Sequence, residues 1–109
     1  GRDFRVIVIG GKVAAAMERR AKAGEFRSNA ELGAECVKAE PPEEYLRLAE
    51  RAAEVLNLDY CGVDLLEGKD GPLLCEVNSN AFFEAIERAT GTDVAALYAE
   101  HILRTLRGR

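Results

Sequence analysis

The chain has 109 residues, 48% of them apolar and 31% charged, with a formal net charge of −4. That length supports one compact domain with its own core and is too short for two. Mild acidity disfavours a nucleic-acid partner, which needs a basic stripe, and no apolar run is long enough to span a membrane or to serve as a secretory signal.

The chain opens on Gly1-Arg2-Asp3 and enters a strand pattern at once, with no starting Met, so it reads as a piece of a longer protein. "FRVIVIGGKVAAAMER" reads as a hairpin, because Gly10-Gly11 suits a two-residue turn that needs positive φ. A regular ladder from that turn pairs Ile9 with Lys12 and Arg5 with Ala16, and brings Asp3 near Glu18. The alanines of the second run are the weak part of this reading, since alanine prefers helix.

"RRAKAGEFRSNAELGAE" has no clean period and reads as a long loop, of the kind that is usually functional or disordered. "CVKAE" is a short strand. "PPEEYLRLAERAAEVLNL" is a helix, with Pro42, Glu43 and Glu44 suited to its first turn. Its apolar stripe is Tyr45, Leu48, Ala49, Ala52 and Leu56.

"YCGVDLLEGKDGPLLCEVN" is a second hairpin, with turn chemistry at Gly68, Asp70, Gly71 and Pro72. "AFFEAIERATG" is a short helix. Thr92 or Asp93 then caps a last helix whose inward residues are Val94, Leu97, Tyr98, Ile102 and Leu106. His101, the single histidine, reads as packing or surface. The cysteines, Cys36, Cys61 and Cys75, lack metal-type spacing and sit in or beside apolar runs. They read as small buried residues of a reduced, cytoplasmic protein. The order of elements gives an α+β fold, an antiparallel β-sheet covered by helices, over a single domain spanning residues 1–109.

Two polar residues in "LLCEVNSN" stand out. Glu76 and Asn78 are two apart and share a strand face. If Leu66 pairs with Leu74, Asp64 lies directly opposite Glu76, and the two carboxylates repel. Full solvation, a shared proton or an intervening cation would relieve this. An exposed polar strand end is the plain reading. A hard divalent cation also accounts for Asn78, since two carboxylates and an amide carbonyl are oxygen donors of the type Mg²⁺ and Mn²⁺ take. Arg5, Arg19, Arg20 and Arg27 add groups able to bind phosphate, with Ser28 and Asn29 beside Arg27.

Through these residues the chain resembles the C-terminal part of the ATP-grasp domain in RimK-like ligases, the α-L-glutamate ligase group. The matching stretches are "GRDFRVIVIGGKVAAAMERRAKAGEFRSN", "GVDLLEGKDGPLLCEVN" and "ERATGTDVA". The resemblance implies an enzyme that joins a carboxylate to an amine through an acylphosphate made with ATP. It implies Asp64, Glu76 and Asn78 as ligands of two Mg²⁺ or Mn²⁺ ions, with Glu76 between them. It further implies Asp3, Arg27, Ser28 and Asn29 as nucleotide contacts, and Arg19 and Arg27 as catalytic cations, with Arg5 in a similar position. Implied partners are ATP, an amino-acid or peptide substrate and the absent N-terminal and central domains, with homo-oligomers open. No nucleic acid or membrane is implied, and the isolated piece is expected to be inactive.

The segment after Asn78 departs from the family. Many glutamate ligases of this group continue with a small residue, Ser, Pro and Gly, where this chain has "SNAFFE". A ligase for another amino acid or a cofactor substrate is therefore an alternative, as is a nucleotide-binding ATP-grasp module without catalysis.

Overall fold

The computed structural model describes residues 2–20 and 35–108. Arg27, Ser28 and Asn29 lie outside the described residues. Five strands form one antiparallel sheet in the order β3-β2-β1-β4-β5. The strands are β1 (Asp3–Ile9), β2 (Lys12–Arg20), β3 (Glu35–Lys38), β4 (Tyr60–Gly68) and β5 (Gly71–Asn78), and the helices are α1 (Glu43–Val55), α2 (Glu84–Thr90) and α3 (Val94–Arg107).

The first hairpin turns at Gly10 (φ 58°) and Gly11 (φ 81°). Both are in the left-handed region that a two-residue hairpin loop of this kind demands. Ile9 pairs with Lys12 as expected. The ladder then slips: Val8 pairs with Val13 but Ile7 with Ala15, so Ala14 is an extra, bulged residue. Arg5 therefore faces Met17 rather than Ala16, and Asp3 faces Arg19 rather than approaching Glu18. The bulge replaces a like-charge encounter with an attractive one. The Ala-rich run is strand despite its propensity, because Ala15, Ala16 and Met17 are buried in the sheet.

Alternation along the strands divides the sheet into two faces. One carries Phe4, Val6, Val8, Ala16, Cys61, Val63 and Leu65, packed with Tyr45, Ala49 and Ala53 of α1. The Phe4 and Tyr45 rings meet edge-to-face at 5.6 Å. The other carries Ile7, Ala15, Met17 and Tyr60 beneath Ile86 of α2 and Val94 of α3.

Helix α1 is shorter than its periodicity suggests. It ends near Asn57, which takes φ 55°, a conformation asparagine tolerates. Leu56 thus falls at the helix end and is 55% exposed, while Ala53 takes the buried place. Asp93 caps α3 by accepting from the Ala96 amide at 2.9 Å. Only Val94 of that helix is fully buried, and Ile102 and Leu106 face outward, against expectation. Cys61 is buried and Cys36 partly so, but Cys75 is exposed. It sits on edge strand β5, at a second bulge.

Candidate metal and nucleotide site

The face shared with α2 and α3 is apolar only where those helices cover it. Farther along the same strands, alternation places Asp3 and Arg5 on β1, Arg19 on β2, Asp64 on β4 and Glu76 and Asn78 on β5. The structure thus brings six of the residues singled out from sequence onto one side of the sheet.

Asp64 is opposite Glu76, as expected, but the route differs. Leu66 pairs with Leu73 and Leu65 with Leu74, leaving Cys75 bulged out. A regular ladder from the Lys69-Asp70 turn would set Asp64 against Cys75. The one-residue bulge brings Glu76 to Asp64 and, two residues on, Asn78 to Gly62.

The other neighbour of Asp64 is Arg5, on β1. Arg5 Nε donates to Asp64 Oδ1 at 2.8 Å and Nη2 to Oδ2 at 2.9 Å. This forked geometry is the strong form of an arginine–carboxylate pair. Arg19 Nη2 donates to Asp3 Oδ1 at 3.0 Å and lies 3.3 Å from Asp64 Oδ1. The hydrogen bond to Asp64 raises the pKa of the Arg5 guanidinium, against the opposing effect of burial. Arginine from a neighbouring strand is therefore a further means of relieving the Asp64–Glu76 repulsion. Pairwise reading of the second hairpin missed it, because Arg5 lies 59 residues away from Asp64 in the chain.

Two features leave this network open to a ligand. Arg19 Nε is buried and has no hydrogen-bond partner among the described residues. Such a donor costs about 1–3 kcal/mol if nothing ever occupies it, so it calls for an acceptor oxygen, which a ligand, a water or a residue outside the described ones can supply. On the acidic side, Asp64 Oδ2 carries one arginine bond and keeps a lone pair. Asn78 Oδ1 accepts from the Asn80 amide at 2.8 Å and also keeps one. Glu76 is exposed. These oxygens fit a hard divalent cation. Among the described residues no group of three or more His, Cys, Asp or Glu side chains is gathered as a metal cage. A cation here would have two carboxylates and one amide, and would need oxygens from elsewhere.

The segment after Asn78 crosses onto the sheet. Ala81 is buried over Gly62, where an added Cβ would come within 2.6 Å of the Ala81 Cβ. The Tyr60 hydroxyl donates to the Ala81 carbonyl at 2.7 Å. The Tyr60 ring stacks on Tyr98 at 4.6 Å and meets Phe83 edge-on at 6.4 Å. His101 is distant from this chemistry by role: its Nε2 lies 3.4 Å from Asp59 Oδ1, and its ring packs under Gly10.

A five-stranded antiparallel sheet with this helix arrangement is the α+β lobe of an ATP-grasp fold. It superimposes on the ATP-grasp ligase PsnB, in complex with a phosphomimetic variant of minimal precursor, Mg and ADP, with a TM-score of 0.76 and 26% identity, covering 95% of this chain and 32% of that one. It also matches the fold of D-alanine–D-alanine ligase from Bacillus anthracis complexed with ATP, with a TM-score of 0.71 and 20% identity, covering 99% of this chain and 40% of that one. Residues 1–102 match the RimK-like ATP-grasp domain, and the chain belongs to that family. It is 49% identical over 107 residues to a protein of Marinomonas sp. (strain MWYL1) and 50% identical over 106 residues to one of Halorhodospira halophila, both named probable alpha-L-glutamate ligase. Those matches cover 96% and 95% of this chain but only 35% and 34% of the relatives, so it spans about a third of their length. Among the described residues no helix is long and apolar enough to cross a membrane.

Proposed function

We propose that residues 1–109 are the C-terminal, metal-bearing lobe of a cytoplasmic ATP-dependent carboxylate–amine ligase that joins glutamate to a peptide or small-molecule acceptor. The observation that carries this reading is the apposition of Asp64 and Glu76, flanked by Arg5 and Arg19, on the open part of the sheet face. In the reaction, a substrate carboxylate oxygen attacks the γ-phosphorus of ATP, and the bond to the bridging oxygen breaks as ADP leaves. The amine nitrogen then attacks the acyl carbon, phosphate departs with the electron pair of the broken C–O bond, and the nitrogen loses a proton.

In this reading Asp64, Glu76 and Asn78 hold Mg²⁺ or Mn²⁺. Bound there, the metal supplies positive charge against the phosphate oxygens. Arg19 offers its buried Nε–H to an oxygen of the transferring phosphoryl group, and Arg5 keeps Asp64 ionised and oriented. Asp3 fixes Arg19 through the 3.0 Å hydrogen bond. Asp3, Arg27, Ser28 and Asn29 are assigned to the nucleotide by family position, and Arg27 joins Arg19 as a catalytic cation. No covalent protein intermediate is required; positioning and electrostatics supply the acceleration.

The test is ADP release by the protein at its native length, with glutamate and a panel of acceptors. Glu76→Ala is expected to abolish turnover, along with the stabilisation by Mg·ADP. That stabilisation is about 2.7 kcal/mol at a ligand concentration near 100 times Kd. Absence of ATP turnover with every carboxylate–amine pair would overturn the proposal. A ligase acting on a different substrate is the second reading, favoured by the "SNAFFE" segment. A nucleotide-binding module without catalysis is disfavoured by the presence of all three candidate ligands.

A further inference from the structure

The segment from Ser79 to Phe83 is built to hold one side chain outward. Asn80 is tied to Asn78 by the 2.8 Å hydrogen bond. Ala81 is anchored from two sides, by Tyr60 Oη at 2.7 Å and by its methyl group set against Gly62. Phe83 packs into the apolar cluster with Tyr60, and its carbonyl accepts from the Glu87 amide at 2.9 Å. Between Ala81 and Phe83 stands Phe82, 77% exposed and the most exposed of the large apolar side chains among the described residues. A ring on a floppy loop could fold back onto the surface. Here both neighbours are pinned, so Phe82 is held away from the surface of the described residues.

Position gives this ring a purpose. Arg5 Cδ is 3.7 Å from the place a Cβ on Gly62 would occupy, and Ala81 covers that same place. The residue before Phe82 therefore borders the Arg5–Asp64 pair. The tether at the other end is Asn78, a candidate metal ligand. Phe82 thus follows directly on the residue that covers Gly62 beside Arg5, on the segment that departs from the family pattern.

We propose that Phe82 is a specificity residue that contacts an apolar or aromatic side chain of the amino-acid or peptide substrate, and that Tyr60 is the positioning residue that presents it. The inference rests on the ligase reading for the identity of the site. The charged network at the centre handles phosphate and carboxylate, and offers nothing to an apolar group. Phe82 supplies that missing selectivity. A held ring loses little conformational freedom on binding, and an aromatic contact contributes about a threefold to tenfold preference beyond the area it buries.

The test uses the protein at its native length and pairs of acceptor peptides differing in one residue, phenylalanine or serine, beside the glutamate to be joined. Wild type is expected to favour the phenylalanine peptide by about tenfold in kcat/KM. Phe82→Ala should erase that preference through peptide KM, leaving KM for ATP unchanged. Phe82→Leu should keep part of it, and Tyr60→Phe should weaken it without altering ATP use. Residues 1–109 contain no tryptophan, so Phe82→Trp adds a local emission probe, read as the difference from wild type. Its blue shift with the phenylalanine peptide alone, in the absence of ATP, supports the proposal even if no ligase turnover is found, in which case only the ligase reading fails. Turnover with equal preference in wild type and Phe82→Ala overturns the Phe82 assignment and leaves the ligase reading standing. Emission already blue-shifted without peptide, and unmoved by it, also overturns it, because the ring is then covered by the protein itself.

Discussion

Arg5 and Asp64 are direct neighbours across β1 and β4, joined by two hydrogen bonds of 2.8 and 2.9 Å. Asp64 is therefore flanked by an arginine on one strand and by a carboxylate, Glu76, on the other. Replacing Arg5 by Met should leave Asp64 facing Glu76 with only the longer Arg19 contact. The expected loss is about 3 kcal/mol, the scale for breaking a buried ion pair from one side. Adding Asp64→Leu should return most of it, because no uncompensated charge then remains. Urea denaturation of the single and double variants measures this. A loss below about 1 kcal/mol in Arg5→Met would show the pair to be worth no more than a surface bridge.

On the opposite face, Glu18 receives Arg2 at 3.0 and 2.7 Å and Arg20 at 3.0 Å. Hydrogen bonds from Arg2, then from Arg20, hold its carboxyl below the ordinary value of 4.5. With the folded pKa below the unfolded one, this contribution is complete above about pH 4.5 and is lost as pH falls through the folded value. Glu18→Gln should therefore be less stable than wild type at neutral pH, with the gap closing on acidification. A gap that stays constant into acid would assign the loss to packing rather than to the carboxylate.

Gly62 is required by its neighbour rather than by its own backbone. Because Ala81 stands where a Cβ would go, Gly62→Ala should cost about 1–3 kcal/mol as an overpacked contact. It should also displace the segment that carries Phe82. Gly62→Ala with Ala81→Gly should recover most of the stability. Thermal melts of the two single variants and the double variant form the cycle, and simple additivity would mean that the two positions do not meet.

The three cysteines should react in an order that follows the bulge on β5. Cys75 is exposed there, while Cys61 is buried and burial raises its thiol pKa. A thiol reagent on the native protein should modify Cys75 in a fast phase that Cys75→Ser removes, and Cys61 only on denaturation. Equal rates for the two would mean that the β5 edge is covered in the native chain. Because Cys75 adjoins Glu76, modification should also weaken stabilisation by Mg·ADP.

Much of the architecture was legible from local chemistry. Gly10-Gly11 marks a turn, Thr92-Asp93 a helix start, and the alternation of polar and apolar residues the strands. The apposition of Glu76 and Asp64 was also legible, because like charges across a ladder need a reason. What local chemistry did not reveal were the two bulges, at Ala14 and Cys75. Neither residue has the turn character of glycine, proline or asparagine, so nothing in the letters marks them. Each nevertheless shifts a strand by one residue, and one residue decides which face every later side chain takes.

By itself, the sequence determined the elements, the order of the strands along the chain and the identity of the acidic and cationic residues. Those depend on turn propensity and on periods of a few residues. Tertiary structure alone decided that Arg19, not Glu18, meets Asp3, that Arg5 grips Asp64, and that Phe82 stands out from a pinned segment. These are consequences of β1 lying between β2 and β4, a pairing between residues up to 63 positions apart such as Asp3 and Leu66. Contacts of that range are settled by packing the whole sheet against its helices, which no short stretch of sequence encodes.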